Sequence, residues 1–136
     1  MRPWGILAPL GFASPHFTYR ELACHHCGRI VSVERAEELA RFLEDIRIHF
    51  SALAKESVII HIDSAHRCPT HNRAIGGKSH SQHKRGLAAD IKIDRFSPSR
   101  VYEECMVMHN RGQIGGVGRY EHFTHVDKGP KRTWEG

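Results

Sequence analysis

The sequence predicts an α+β fold in which one mainly antiparallel sheet is backed by helices. The first observation is that apolar residues at three- and four-residue steps mark two amphipathic helices, while short apolar or alternating runs mark four strands. The second is their order along the chain, which is helix, strand, loop, strand, helix and two strands and so lacks the regular alternation of a doubly wound sheet. The third is the length of 136 residues, which fits a single domain over 1–136.

The first third of the chain contains an irregular segment and then a long helix. Residues 1–32 are rich in Gly, Pro, His and aromatic residues, so we predict little regular structure there beyond a helical turn at Thr18 to Ala23. A helix is predicted over Glu34 to Leu53, with Ser32 as its N-cap. Its apolar stripe consists of Ala36, Leu39, Ala40, Leu43, Ile46 and Phe50.

The middle of the chain contains two predicted strands separated by a long loop. Apolar and polar residues alternate over Ser57 to Ser64, which indicates a half-buried strand. The loop runs from Ala65 to about Gln82 and is rich in glycine and polar residues. Leu87 to Ile93 is the second strand.

The last third contains a helix and a closing pair of strands. The helix is predicted over Ser97 to about His109, with Ser97 as the N-cap and Pro98 at the first helical position. The strands are predicted over Gly115 to Tyr120 and Phe123 to Asp127, around a short turn.

Charge and hydropathy exclude some classes of function. The formal net charge of +5 and the pI near 9.3 suit a polyanionic partner, whether nucleic acid, anionic lipid or a carboxylate-rich cell wall, and do not choose among these. Lys and Arg are scattered without a basic arm, so nucleic-acid binding is not expected. No apolar run approaches the ~20 residues of a membrane span, so membrane insertion is not expected either. The sequence does not indicate an oligomeric state.

The N-terminus carries no clear targeting signal. Met1 to Phe12 has a short apolar stretch interrupted by prolines and lacks the h-region and cleavage site of a signal peptide. We interpret it as part of the mature chain. A chain that acts outside the cytoplasm then needs another route out, of which phage-type lysis through a membrane hole is one.

Three residues predict a metal site. His83 lies just before the second strand, and Asp90 lies within that strand. Zn²⁺ takes nitrogen and oxygen ligands of these kinds. His125 lies on the last strand, which can pair beside the strand of Asp90. Three protein ligands with an open fourth position are typical of catalytic zinc. Spacing alone equally permits unrelated polar residues at strand edges.

The stretch 81–90 resembles the S-x-H-x-x-G-x-A-x-D signature of the zinc D-Ala-D-Ala peptidase family. The matching residues are Ser81, His83, Gly86, Ala88 and Asp90. The late H-V-D of that family is matched by residues 125–127, and its S-x-x-R…H-N stretch resembles residues 64–72. Residues 17–28 are similar to the opening of small members, several of them carried by phages. The resemblance covers the chain from about Phe17 to Trp134.

The resemblance implies a fold, a cofactor and roles for individual residues. It implies a hedgehog/DD-peptidase-like fold and a zinc ion held by His83, Asp90 and His125. Arg67 would bind the substrate's terminal carboxylate or polarise the scissile carbonyl, to which a forked guanidinium is suited. Ser81 would hydrogen-bond the substrate near the metal. His71 would either shape the cleft or make structural contacts.

The general base is the least defined part of the predicted site. Many relatives have an acidic residue three positions before the last ligand, where this chain has His122, with Glu121 one position further back. On a regular strand His122 would face away from His125, so a bulge or turn is required. His122 is the preferred base and Glu121 the alternative. Asp127, two residues after His125, is expected on the same strand face as a hydrogen-bond partner that does not itself touch the metal.

The cysteine pair Cys24 and Cys27 has three interpretations. It can be half of a structural zinc site, with His25, His26 and Cys68 as further candidates. It can be a redox pair, although no thioredoxin-like pattern surrounds it. It can also be two thiols in a tight turn. Cys105 is predicted to be a buried thiol in the second helix.

The predicted function is hydrolysis of peptide bonds next to D-alanine in peptidoglycan by a zinc-dependent D,D-carboxypeptidase or endopeptidase. The alternative is a non-catalytic, zinc-stabilised module that binds wall peptides or a protein partner. The histidine at position 122 favours the alternative. Arg67 and Ser81 favour the enzyme, because a structural zinc does not require them.

Overall fold

The computed structural model describes residues 5–68, 85 and 87–136. These residues form an α+β structure, as predicted. The described elements are, in chain order, β1 (Ile6–Leu7), β2 (Phe12–Ser14), β3 (Phe17–Thr18), α1 (Tyr19–Leu22), β4 (Arg29–Ile30), α2 (Val33–Ala54), β5 (Ile60–Ser64), β6 (Ala88–Ile93), α3 (Pro98–Asn110), β7 (Gly116–Arg119), β8 (Thr124–Asp127) and β9 (Arg132–Glu135).

Both long helices begin directly after the N-cap residues that were predicted from the sequence. The Ser32 side chain accepts a hydrogen bond of 3.1 Å from the amide of Arg35 at the start of α2. Ser97 accepts one of 3.2 Å from the amide of Arg100 at the start of α3, where Pro98 occupies the first turn. Helix α2 ends at Lys55, whose left-handed backbone (φ 59°) stops the helical path.

Five strands form the central sheet in the order β5-β6-β8-β7-β9. Every pairing is antiparallel except that of β7 with β9, which is parallel. The predicted pairing of the last two strands, and of β8 beside β6, is therefore confirmed. The sheet is mainly antiparallel, as expected.

The core lies between one face of this sheet and the two long helices. The predicted stripe of α2 is buried, and Val101 and Cys105 of α3 belong to the same cluster. The sheet contributes alternate residues of its strands, Ile60, Ala89, Ile91, Ile93, Val117 and Val126. Because side chains alternate across a strand, the residues between them face the opposite side of the sheet, where the polar site is found.

Two parts of the chain are more ordered than the sequence predicted. The segment predicted as irregular contains two small antiparallel sheets, β1-β4 and β2-β3. A capping box at Thr18 and Glu21 begins the short helix α1. At the other end, residues 132–135 form a fifth strand that was not predicted. These strands are two to four residues long, which is too short for an alternating pattern to emerge.

None of the helices in the described ranges has the length and hydropathy needed to cross a membrane.

Candidate active site

The polar face of the sheet brings Asp90 and His125 side by side. Asp90 of β6 is the cross-strand partner of His125 of β8, and Ala88 is the partner of Asp127. Antiparallel partners have adjacent side chains on the same face. The distance from Nδ1 of His125 to Oδ1 of Asp90 is 3.0 Å. Both residues are buried.

The His125 ring lies between two carboxylates. Its Nε2 is 2.7 Å from Oδ2 of Asp127, while its Nδ1 faces Asp90. Burial alone would lower the pKa of His125, but the hydrogen bonds to Asp127 and Asp90 outweigh burial and raise it above its ordinary value. The surroundings of the ring therefore favour a positive charge at this position.

Asp127 is held firmly by four groups. Its Oδ1 accepts hydrogen bonds from the amides of Gly116 (2.9 Å) and Gly129 (2.8 Å). Its Oδ2 accepts from Arg132 at 3.2 Å, besides the contact with His125. Burial would raise the pKa of Asp127, yet these partners together lower it. The side chain is completely buried and is held as a carboxylate that orients the imidazole.

Two glycines of β7 make room for this arrangement. A Cβ on Gly118 would lie 2.5 Å from the Trp134 ring, and one on Gly116 would collide with Asp127 and Arg132. The Trp134 ring packs on the His125 ring with centroids 4.8 Å apart. The contact of Trp134 with His125 was not predicted from the sequence. The G-V-G alternation of β7 is the one signal that marks a crowded strand face.

Arg67 lies at the same site. Its Nη2 is 3.8 Å from Oδ2 of Asp90, and the side chain is buried. Burial lowers the pKa of Arg67, while the charge of Asp90 opposes that shift. The structure thus brings together four of the predicted site residues, Arg67, Asp90, His125 and Asp127.

The two candidate bases lie in a bend before β8 rather than on the strand. Their side chains are 76% (His122) and 87% (Glu121) exposed, and Nε2 of His122 lies 3.9 Å from Oε1 of Glu121. The chain bends at this point instead of continuing as a regular strand. The remaining predicted residues, His83, Ser81 and His71, lie outside the described residues.

The described residues fit a zinc ion. A nitrogen and a carboxylate oxygen 3.0 Å apart are donors of the kinds that zinc takes. When the proton of the ring resides on Nε2, which faces Asp127, Nδ1 offers its lone pair on the side of Asp90. A cation there would supply the positive charge that the two carboxylates favour. Carboxylate, imidazole and metal in this order are the usual arrangement around a ligating histidine.

A comparison with models of known protein families identifies the family of this chain. The model of the peptidase M15 family matches residues 15–127, which include Arg67, Asp90, His125 and Asp127. The chain belongs to the peptidase M15 family. The resemblance to zinc D-Ala-D-Ala peptidases that the sequence motifs carried is thereby confirmed.

Curated relatives of this M15 chain are enzymes of the bacterial wall by name. The peptidoglycan L,D-endopeptidase MepK of Escherichia coli K12 is 32% identical over 75 residues, which are 54% of this chain and 38% of that protein. A probable peptidoglycan L,D-endopeptidase MepK of Haemophilus influenzae is 38% identical over 63 residues, 45% of this chain and 32% of that protein. The matched segments thus span about a third of each relative's own length.

Proposed function

We propose that this M15 chain is a zinc-dependent peptidase that hydrolyses peptide bonds next to D-alanine in peptidoglycan. One observation carries the proposal. Asp90 and His125 present an oxygen and a nitrogen 3.0 Å apart, with Arg67 on one side and Asp127 on the other. His83 is the proposed third ligand from its place in the family motif. The hedgehog/DD-peptidase fold is proposed on the same resemblance.

Each described residue has a role that follows from its contacts. Bound zinc would supply the Lewis acidity that polarises an amide carbonyl and acidifies water. Asp127 holds the His125 ring in one orientation and one tautomer. Arg67 binds the carboxylate of the substrate, because its buried guanidinium can donate two parallel hydrogen bonds.

A proton acceptor completes the reaction, and His122 remains the proposed one, with Glu121 as the alternative. Both side chains are exposed in the bend just before β8, the strand that carries His125. Ser81 and His71 are proposed to contact the substrate, on the family motif alone.

The substrate class rests on the relatives' names. Both are described as peptidoglycan L,D-endopeptidases, which supports a wall peptide as substrate and makes cleavage within cross-links the first alternative to removal of a terminal D-alanine. The net charge of +5 supports attraction to an anionic wall. A second candidate function is a non-catalytic module that binds wall peptides, which is favoured by the histidine at position 122.

The test is a digest of purified peptidoglycan by the zinc-loaded and the chelated protein, with the products identified by mass spectrometry. We expect loss of D-alanine, or of cross-linked dimers, in the zinc-loaded sample alone. Fragment masses distinguish a D,D from an L,D cleavage. An unchanged profile with zinc demonstrably bound would contradict the peptidase and favour the binding module.

The variant Arg67→Lys tests whether substrate binding needs the forked guanidinium of arginine or only its positive charge. Lysine keeps the positive charge beside Asp90 but cannot form the forked pair of hydrogen bonds. We expect a higher KM for substrates with a terminal carboxylate, with zinc content unchanged. Arg111→Lys, at an exposed position just after α3, is the matched control and should behave as the wild type.

A further inference from the structure

A second group of metal-ligating side chains lies apart from Asp90 and His125. The Sγ atoms of Cys24, Cys27 and Cys68 all lie within 4.8 Å of one another. Nδ1 of His26 is 3.4 Å from Sγ of Cys68. Cys24 and Cys68 are buried, Cys27 is half-buried and His26 is exposed at the rim.

We propose that Cys24, Cys27 and Cys68, with His26 as the fourth ligand, bind a structural zinc ion. Structural zinc sites are closed by four protein ligands, and three cysteines with one histidine are a common set. A tetrahedral ion with the usual Zn–S and Zn–N distances places a sulfur and a nitrogen ligand about 3.6 Å apart. The 3.4 Å between His26 and Cys68 is close to that separation. This site does not depend on the proposed peptidase activity.

The backbone around Cys24 and Cys27 is shaped as a metal-binding turn. The amide of Gly28 donates to the carbonyl of Cys24 at 2.7 Å, and the amide of Cys24 donates to the carbonyl of Arg29 at 2.8 Å. Gly28 has a φ of 70°, which a glycine adopts without strain. The turn therefore folds both cysteines of the C-x-x-C-G motif towards one side.

Cys68 reaches this turn through a specific contact between distant segments. It lies 42 residues after His26, beyond the end of β5. The amide of His66 donates to the carbonyl of Leu22 at 3.1 Å, and Nδ1 of His66 accepts from the amide of Val31 at 3.0 Å. These two bonds hold residues 65–68 against the N-terminal segment.

The sulfur atoms lie in surroundings that suit thiolates. The amide of Cys68 donates to Sγ of Cys24 at 3.4 Å, a contact that favours negative charge on the sulfur. A thiol that coordinates a metal cation is deprotonated outright.

The geometry argues against the two other interpretations of the pair. A redox pair needs only Cys24 and Cys27, so it does not explain why the Cys68 sulfur lies within 4.8 Å of both, with the His26 imidazole beside Cys68. Two thiols in a tight turn do not explain it either. A separate cysteine, Cys105, is buried in α3 away from the cluster and offers an internal control.

The first test is cobalt substitution of the full chain. Cobalt bound by cysteine thiolates shows an intense sulfur-to-metal charge-transfer absorption, which a site of histidine and aspartate does not give. We expect this band in the wild type and in His125→Ala, and its loss in Cys24→Ser and Cys68→Ser. Because the wild-type spectrum depends on no variant being folded, its lack of a thiolate band would by itself overturn the proposal.

The second test is zinc content per chain, measured by elemental analysis. Cys27→Ser should lose one equivalent of zinc relative to the wild type, whereas Cys105→Ala should lose none. His26→Ala should lose zinc at a lower chelator concentration than the wild type, and His25→Ala, its exposed neighbour, should not. Equal zinc content in the wild type and all the cluster variants would overturn the site. An intramolecular Cys24–Cys27 disulfide in the purified chain would do the same.

Discussion

At the scale of single residues, Asp127 determines which nitrogen of His125 faces Asp90. The variant Asp127→Asn keeps an oxygen for the amides of Gly116 and Gly129 but removes the charge next to Nε2. We expect zinc affinity to fall about 10- to 100-fold, since partners of ligating histidines have effects of this size. Competition with a chelator measures it. Asp94→Asn, an exposed aspartate paired with His61, is the control, and an equal loss in both variants would contradict the assigned role.

Gly118 makes a second prediction at the residue scale. In Gly118→Ala the new methyl group would meet the Trp134 ring, which packs on His125. Overpacking of this kind costs about 1–3 kcal/mol of unfolding free energy. A double-mutant cycle tests the cause, because in a Trp134→Ala background the same substitution should cost far less. If the free-energy costs of Gly118→Ala and Trp134→Ala are additive, the strain does not come from contact between the new methyl group and the Trp134 ring.

At the scale of elements, Glu44 joins α2 to the N-terminal hairpin. Its side chain accepts hydrogen bonds from the Ser14 hydroxyl (2.6 Å) and the His16 amide (2.8 Å), and Arg47 lies 3.1 Å away. Burial would raise its pKa, but these donors outweigh burial and hold the pKa below the ordinary value of 4.5. A carboxylate with a lowered folded-state pKa stabilises the fold above the unfolded-state value, and that stability is lost as the pH falls through the folded-state value.

Glu44→Gln should therefore lower the free energy of unfolding at neutral pH by about 1–3 kcal/mol. The difference from the wild type should shrink as the pH falls below 4.5, the ordinary pKa of the wild-type carboxyl. Urea titrations at several pH values measure it. Asp45→Asn, the exposed neighbour on α2, should change little at any of them. A Glu44→Gln difference that does not vary with pH would contradict the role of the charge.

The elements also show what a single sequence can and cannot predict. Helices α2 and α3 were predictable because each has a hydroxyl cap and a long apolar stripe, and a stripe of this length has few other ways to be buried. β9 was not predictable, since R-T-W-E has no alternating pattern and its parallel partner β7 is reached only by crossing the sheet. The small N-terminal sheets were missed because their two- and three-residue strands depend on contacts with α2 and with each other.

The site was predictable to the extent that it depends on strand pairing. Pairing of β8 beside β6 was expected from the sequence and places His125 opposite Asp90. The contacts of Trp134 and Arg132 were not, because they follow from the unpredicted strand β9. The role of Cys68 was also open, since its approach to Cys24 depends on hydrogen bonds between segments far apart in the chain.

At the scale of the whole molecule, the net charge of +5 predicts how the protein would approach the proposed wall substrate. Attraction to an anionic wall is screened by salt, with a Debye length of about 10 Å at 0.1 M and about 3 Å at 1 M. Co-sedimentation with intact sacculi should therefore fall as salt rises. Cleavage of small soluble wall peptides should change much less. Sedimentation that is independent of salt would show that the cleft, not the surface charge, binds the wall.

The crossing between β8 and β9 has a consequence for the order of folding. Residues 128–131 pass over the start of β7, where Gly129 lies against Gly115 so closely that a Cβ on Gly115 would collide with its carbonyl. Because a short turn joins β7 and β8 while β9 pairs with β7 only beyond this crossing, we expect the β7–β8 hairpin to form first. Trp134 and Arg132 arrive with β9. We therefore expect the surroundings of His125 to be the last part of the sheet to be completed, and a chain that stalls before this step would have β7 and β8 paired but His125 not covered by Trp134.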